Sequence, residues 1–309
     1  MNVEAKVLDP IIVRSRLRLL DYVDLMKPEL TGLSVFTALC GFYLATVGMF
    51  DFLLFLHTAI GTALVGGGAG ALNQYTEREY DALMKRTERR TLPSGRLFPT
   101  EALIFGVSIS VIGVVELSLF VNLLTGFLAV LTFTTYLFLY TPLKRITPYA
   151  TLVGGIPGAL PPMMGWTAVR NETTIEAWIL FAVLFCWQMP HFLSLAWMYR
   201  NDYRKAGFKT LTVLDPDGGR TSRHILTFSI ALVPVSLVPA LAGMTGPISF
   251  AGAFVLGAAF LVFGIAMWRC AGGRSADVHP GINVRSRRLF YASLVYLPVL
   301  LLLLVFDKV

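Results

Sequence analysis

Nine stretches of the chain are apolar for about 20 residues at a time, and charged residues gather almost entirely between them. They run at 31–50, 52–72, 100–120, 122–141, 149–169, 176–198, 225–245, 247–268 and 289–307. A helix of ~20 apolar residues crosses the ~30 Å hydrocarbon core of a bilayer, so the pattern predicts nine transmembrane helices. Two pairs of stretches are separated only by a residue or two, at Asp51 and at Asn122, where the chain must turn sharply. The fifth stretch holds Gly154, Gly155, Pro157, Gly158, Pro161 and Pro162. Irregular backbone at membrane depth is tolerated only where it is buried in protein or lines a cavity, so this stretch is expected to be broken up and to form a cavity wall. Gly66 and Gly70 make a G-x-x-x-G ahead of Asn73, the spacing of tight helix packing, which would fix where Asn73 points. The fold expected is all-α and membrane-integral, with nine helices around a central cavity.

Composition agrees: 55% of the 309 residues are hydrophobic and 15% charged, too apolar a balance for a soluble globule. Of the 26 Lys and Arg, 24 fall in 1–30 and in alternate connections, leaving only Arg170 and Lys308 on the other side. That asymmetry puts the amino terminus and the long loops in the cytoplasm and the carboxy terminus outside. Topology and lipid headgroups account for the net charge of +7, and no nucleic-acid partner is needed. The first 30 residues mix Glu4, Asp9, Asp21 and Asp24 with bases, unlike a transit peptide. They read as an amphipathic surface helix (Leu17, Leu19, Leu20, Tyr22, Val23, Leu25) ending at Pro28, ahead of one membrane domain over 31–309. Cys40, Cys186 and Cys270 are isolated, without metal spacing or a disulfide frame.

The chemistry concentrates in Asn73–Gly95, NQYTEREYDALMKRTERRTLPSG. Asn73, Glu77 and Asp81 recur every four residues, on nearly one face of a helix, and Lys85, Arg86, Arg89 and Arg90 follow. Oxygen ligands in a row suit Mg²⁺, which takes one or two carboxylates and completes its shell with water and phosphate. The bland alternative is a solvated, salt-bridged helix end; the membrane-edge position and the added Asn73 favour a diphosphate–metal site. A second long loop offers Asp202 among Arg200, Arg204, Lys205 and Lys209. It is either a second metal and phosphate site or a basic loop with an incidental aspartate. Within the sixth stretch, Gln188 and His191 flank Pro190; buried polar groups in a membrane need partners, either in a cavity or on a neighbouring helix. Trp166 and Met163 would suit a flat hydrophobic substrate or a helix interface. Glu116 is expected to face a polar neighbour or to snorkel.

N-x-x-x-E-x-x-x-D followed by KRT-x-x-R-x-LPSGR resembles the first motif of the intramembrane aromatic prenyltransferases. WQMPHF, YRNDYRKAGFKTL, YTPLKR and GGIPGALPPMMGW are similar to the protohaem IX farnesyltransferase (haem O synthase) branch, over nearly the whole chain from Asp21. The resemblance implies that two motif-bearing cytoplasmic loops cap the helices. It implies that Mg²⁺ is held by Asn73, Glu77, Asp81 and Asp202, with Lys85, Arg86, Arg90, Arg204 and Lys209 around the diphosphate. Asp81, Asp202 and Arg86 would be catalytic, and Gln188, His191 and Trp166 would line the substrate cavity. Farnesyl diphosphate and haem B would be the substrates, haem O the product, and the bacterial cytoplasmic (inner) membrane the site. Contact with haem A synthase or terminal-oxidase assembly would follow. The chain departs from the pattern in having one carboxylate in the second motif, Glu77 in place of aspartate, and Thr91 in place of proline. Rival readings are a quinone-precursor or chlorin acceptor and, in other classes, a transporter or a haem-binding assembly factor.

Overall fold

The two sharp polar breaks become helix caps. In a computed structural model, which describes residues 10–271 and 281–309, Asp51 Oδ1 accepts from the Leu54 amide (2.9 Å) and Asn122 Oδ1 from the Thr125 amide (2.8 Å). Each cap satisfies a donor that a helix start leaves orphaned, so the chain reverses within a few residues. The first break separates α2 (Pro28–Ala45) from α3 (Phe52–Asp81), the second α4 (Pro99–Phe120) from α5 (Leu123–Thr134). α1 (Pro10–Leu25) precedes them, and α5 continues through a π-helical turn (Thr135–Tyr140) into α6 (Thr141–Leu143). Then come α7 (Ala150–Arg170), α8 (Ile175–Met198), the short α9 (Arg200–Lys205), α10 (Gly219–Leu241), α11 (Pro247–Ala271) and α12 (Gly281–Phe306). The beginning of the amino-terminal segment (1–9) and part of the basic stretch 269–288 lie outside the described residues.

Among the described residues eight helices are long and apolar enough to cross a membrane, with α5 to α6 counted as one (Leu123–Leu143). α7, 21 residues long, is the ninth member of the bundle and the one richest in proline. α2 packs on α3 and α7, α7 adjoins α8, and α8 meets α10 and α12, with α11 closing the far side. The expectation that Gly and Pro break up the fifth stretch is corrected: α7 stays helical through Pro157, Pro161 and Pro162. Most of its surface is buried against neighbouring helices, which hold it straight enough to lose a few backbone bonds without unwinding. The glycines act through contact instead. A Cβ on Gly165 would lie 1.7 Å from the Ala38 carbonyl oxygen, and one on Gly41 would lie 2.1 Å from that of Pro162, so α2 and α7 touch backbone to backbone. Of the G-x-x-x-G pair only Gly70 is packed tightly, a Cβ there lying 3.1 Å from the Met26 carbonyl oxygen, whereas one on Gly66 would meet Thr31 at an ordinary 3.4 Å.

α3 spans 30 residues, or ~45 Å, longer than a hydrocarbon core is thick, so its last turns carry the motif beyond the apolar run. α1 holds the segment that follows: Arg96 Nη1 donates to Asp21 Oδ1 (2.5 Å), and Thr91 Oγ1 donates to Asp24 Oδ2 (2.7 Å). At the opposite end of the bundle, Lys308 Nζ donates to the Tyr43 carbonyl (2.7 Å). Glu116 has the polar neighbour expected of it, His57 (2.6 Å).

Candidate active site at the mouth of the helical bundle

Four-residue spacing brings Asn73, Glu77 and Asp81 to one face of α3, and all three are buried. Each is met by a cation from another segment. Lys27 Nζ donates to Asn73 Oδ1 (2.5 Å), Lys144 pairs with Glu77, and Arg90 Nη1 donates to Asp81 Oδ2 (2.8 Å). Asn73 Nδ2 donates to Thr141 Oγ1 (3.1 Å), which fixes the orientation of its amide. Lys27 sits in the left-handed region (φ 51°) at the break between α1 and α2. Burial, followed by the Arg90 charge, pushes its pKa down to about 7, with Glu77 acting in the opposite sense. For Lys144 burial also acts downward, but the Glu77 carboxylate, together with the Tyr140 and Tyr136 side chains, holds the ammonium above its ordinary value.

The two polar loops meet over this row and form the cap. Met84 packs with Ala206 and Phe208, and Tyr80 and Tyr203 pack around them. The Arg86 guanidinium lies 5.0 Å from the ring centre of Tyr199 and 6.0 Å from that of Tyr203, tying the first loop to α9. The Lys209 amide donates to the Lys144 carbonyl (2.9 Å), so the second loop also braces the Glu77 partner. Lys85, Arg204 and Lys209 are exposed at the rim. Asp202 is partly exposed, and its carboxylate makes no hydrogen bond or ion pair among the described residues. No group of three or more His, Cys, Asp and Glu side chains is placed to hold a metal among those residues, so Asp202 stands apart from Glu77 and Asp81. The α3 row itself is an all-oxygen donor set at a hydrated mouth, which fits Mg²⁺.

Beneath the row lies a cavity of about 230 Å³, with Lys27 at its mouth and Tyr136, Tyr140, Trp187, Gln188 and Phe192 in its wall. Tyr136 and Tyr140 come from the π-helical turn, a local irregularity common at functional sites. Gln188 Nε2 donates to the Gly155 carbonyl (2.6 Å), and Gly158 leaves room for its amide. Two expected cavity residues are elsewhere. His191 faces α12: it shares a hydrogen bond with Ser293 Oγ (2.8 Å) and stacks on Trp187 (4.8 Å) and Phe290 (4.9 Å). Gln188 and Phe192 form one i, i+4 row toward the cavity, while His191 faces α12 and Trp187 lies between, lining the cavity and donating from Nε1 to the Ser293 carbonyl (2.9 Å). Trp166 is buried in the main apolar core near Arg170 and is absent from the cavity wall. Lys27, Tyr136, Tyr140 and Lys144 join the site without having been singled out as site residues. A base directly before an apolar run and the Y-x-x-x-Y-T-P-x-K spacing were the only signals.

A profile of the UbiA prenyltransferase family matches residues 34–279. The protoheme IX farnesyltransferase of Solibacter usitatus is 46% identical over 93% of this chain and 98% of its own length. Among solved structures, a digeranylgeranylglyceryl phosphate synthase superposes with a TM-score of 0.76 at 16% identity, over 94% of this chain and 98% of that one. A UbiA homologue from Archaeoglobus fulgidus, bound to DMAPP and Mg²⁺, gives 0.63 at 16% identity, over 90% and 99%. With a capped oxygen-ligand row over an intramembrane cavity and matches that run nearly end to end, the chain belongs to the UbiA prenyltransferase family.

Proposed function

We propose that the chain transfers the farnesyl group of farnesyl diphosphate to a vinyl group of haem B, with addition of water, giving haem O and diphosphate. The observation that carries the chemistry is the row Asn73, Glu77 and Asp81, buried and cation-paired at the mouth of a largely apolar cavity. The acceptor is supported by the name and near-complete coverage of the Solibacter usitatus relative. Asn73, Glu77 and Asp81 would hold Mg²⁺, which when bound neutralises phosphate oxygens, and Asp202 would join them only if the second loop moves toward the row. Lys27, Lys144 and Arg90 serve as counter-ions of the row in its free state and are placed to turn toward the diphosphate. Arg86 reaches the same mouth, and Lys85, Arg204 and Lys209 add positive charge at the rim.

As the allylic C–O bond breaks, the diphosphate keeps the electron pair. The aromatic faces of Tyr136, Tyr140, Trp187 and Phe192 suit the allylic cation that remains. The terminal vinyl carbon then bonds to that cation, which moves the positive charge to the carbon beside the porphyrin ring; water adds its oxygen there and releases a proton to solvent, giving the hydroxyethylfarnesyl side chain. The cavity, at about 230 Å³, is smaller than the ~300–1,000 Å³ typical of ligand pockets, so the helices must part to admit both substrates. The same proposal places the motif loops on the cytoplasmic side of a bacterial inner membrane and hands haem O to haem A synthase or terminal-oxidase assembly. A mass-spectrometric product assay with haem B, farnesyl diphosphate and Mg²⁺, run beside an EDTA control, tests it. A haem heavier by one farnesyl group plus water, lost with EDTA, is the expected result. Unchanged haem with a prenylated quinone precursor would reject the acceptor, and no diphosphate release from any acceptor would reject the enzyme.

A further inference from the structure

On the same end of the bundle as the capped row, α8 runs into α9 beside the start of α12 and leaves a cleft of about 260 Å³. Its wall is Trp197, Met198, Arg200, Asn201, Asn283 and Arg287. The seam beneath is closed by polar contacts: Trp197 Nε1 donates to Asn283 Oδ1 (3.1 Å), and Ser286 Oγ donates to the Ser194 carbonyl (2.8 Å). The cleft is therefore a fixed feature of the α8–α12 junction. Arg200 lies over Trp197, its guanidinium carbon 4.1 Å from the ring centre. Its Nη1 is buried and has no hydrogen-bond partner. A buried guanidinium nitrogen left unpaired costs free energy, and such a group calls for an explanation. Neither Arg200 nor Arg287 forms an ion pair among the described residues. Two asparagine amides complete the polar wall, and among the described residues no carboxylate contributes to it.

α9 separates this cleft from the capped row. Tyr199 and Tyr203, four residues apart, face Arg86, whereas Arg200 and Asn201 turn toward α12. Along α12 the cleft continues into apolar surface: Arg287 packs over Tyr291 (5.6 Å), and Tyr291, Leu294 and Val295 are exposed. A fixed positive head with an apolar strip leading away from it is shaped for an amphiphile, not for a free ion. We propose that this cleft is an oxyanion-binding subsite for a membrane-borne amphiphile, with its anionic head on Arg200 and Arg287 and its apolar body along α12. Either a phosphate of an anionic phospholipid or a carboxylate of a porphyrin supplies that chemistry. The porphyrin source rests on the acceptor proposed above; the lipid source does not.

The test uses the full chain purified in a neutral detergent, as wild type, Arg200→Gln, Arg287→Gln and Arg200→Lys, each with its melting temperature recorded. One arm measures retention of phosphatidylglycerol against phosphatidylcholine by native mass spectrometry. The other titrates protoporphyrin IX against its dimethyl ester by fluorescence quenching. Loss of a charge-assisted pair to the anion predicts about tenfold or more weaker binding of one acidic ligand in both Gln variants. Phosphatidylcholine and the ester should not change, and Arg200→Lys should keep most of the affinity. Loss confined to phosphatidylglycerol assigns the site to lipid, and loss confined to protoporphyrin assigns it to the porphyrin carboxylate. Equal binding of both acids by wild type and by folded Gln variants overturns the subsite. If protoporphyrin fails to bind wild type at all, the acceptor reading falls while the phosphatidylglycerol arm still decides this one.

Discussion

Breaking the Lys144–Glu77 pair tests whether the carboxylate row is charge-balanced by the protein itself. The two side chains keep only 13% and 9% of their exposure, so removing one leaves the other charged in a poorly solvated place. Losing one partner of a buried pair costs about 3–5 kcal/mol, and the residual hydration at this mouth argues for the lower end, about 3 kcal/mol. Lys144→Met keeps an apolar stem of similar length and removes the ammonium, which pairs with Glu77 and lies over the rings of Tyr140 (4.8 Å) and Phe208 (5.7 Å). At roughly 2 °C per kcal/mol for a chain of this size, that predicts a melting temperature lower by about 6 °C in detergent with EDTA. Glu77→Gln should show a similar drop, because it strands Lys144. The double variant should recover most of the loss, giving a coupling of at least about 2 kcal/mol, yet it should stay inactive for want of Glu77. Additive single effects, with coupling under about 0.5 kcal/mol, would refute the reasoning and make the pair a solvated contact of little consequence.

Asp81→Ala should lower diphosphate release by at least about 100-fold with a near-normal melting temperature, since Arg90, the partner it strands, is partly exposed. Wild-type turnover in that variant would remove Asp81 from the metal site. Gln188→Leu deletes the bond to the Gly155 carbonyl at the cavity wall, and kcat/KM should fall by about tenfold; full activity would place the acceptor elsewhere. Gly165→Ala drives a methyl group into the Ala38 backbone, where Gly66→Ala meets only ordinary contact with Thr31. The first should cost about 3 kcal/mol or prevent folding and the second little, as read by yield and melting temperature. His191→Leu should cost stability through Ser293 and leave KM for haem unchanged, whereas a large KM rise would return His191 to the cavity.

Local features of this fold were legible in the sequence and tertiary pairings were not. Asp51 and Asn122 marked breaks between apolar stretches, and each proves to be a cap, since a capping side chain bonds an amide only three residues away. The row Asn73, Glu77 and Asp81 was equally visible, since its spacing is a property of one helix. What the sequence left open was which polar groups meet. Gln188 and His191 carry the same burial cost and sit three residues apart, yet one wall of α8 faces the cavity and the next faces Ser293. Nothing in the chain's own period identifies the neighbour on each side.

The same blindness concealed the counter-ions, with a consequence for the chemistry. Two carboxylates and a carboxamide in line appear, on the sequence alone, to demand a metal between them. The fold supplies three cations of its own, from the α1–α2 break, from the end of α6 and from the loop after α3. Asn73, Glu77 and Asp81 can therefore stay buried and oriented before any ligand arrives, at the cost of holding Lys27 and Lys144 in place. A diphosphate would let those cations exchange protein oxygens for phosphate oxygens without adding a new buried charge that lacks a partner. On this argument the rim arginines bring the substrate in, and the buried lysines set what it is worth once it has docked. Truncating Lys27 or Lys144 should therefore alter turnover far more than truncating Lys85.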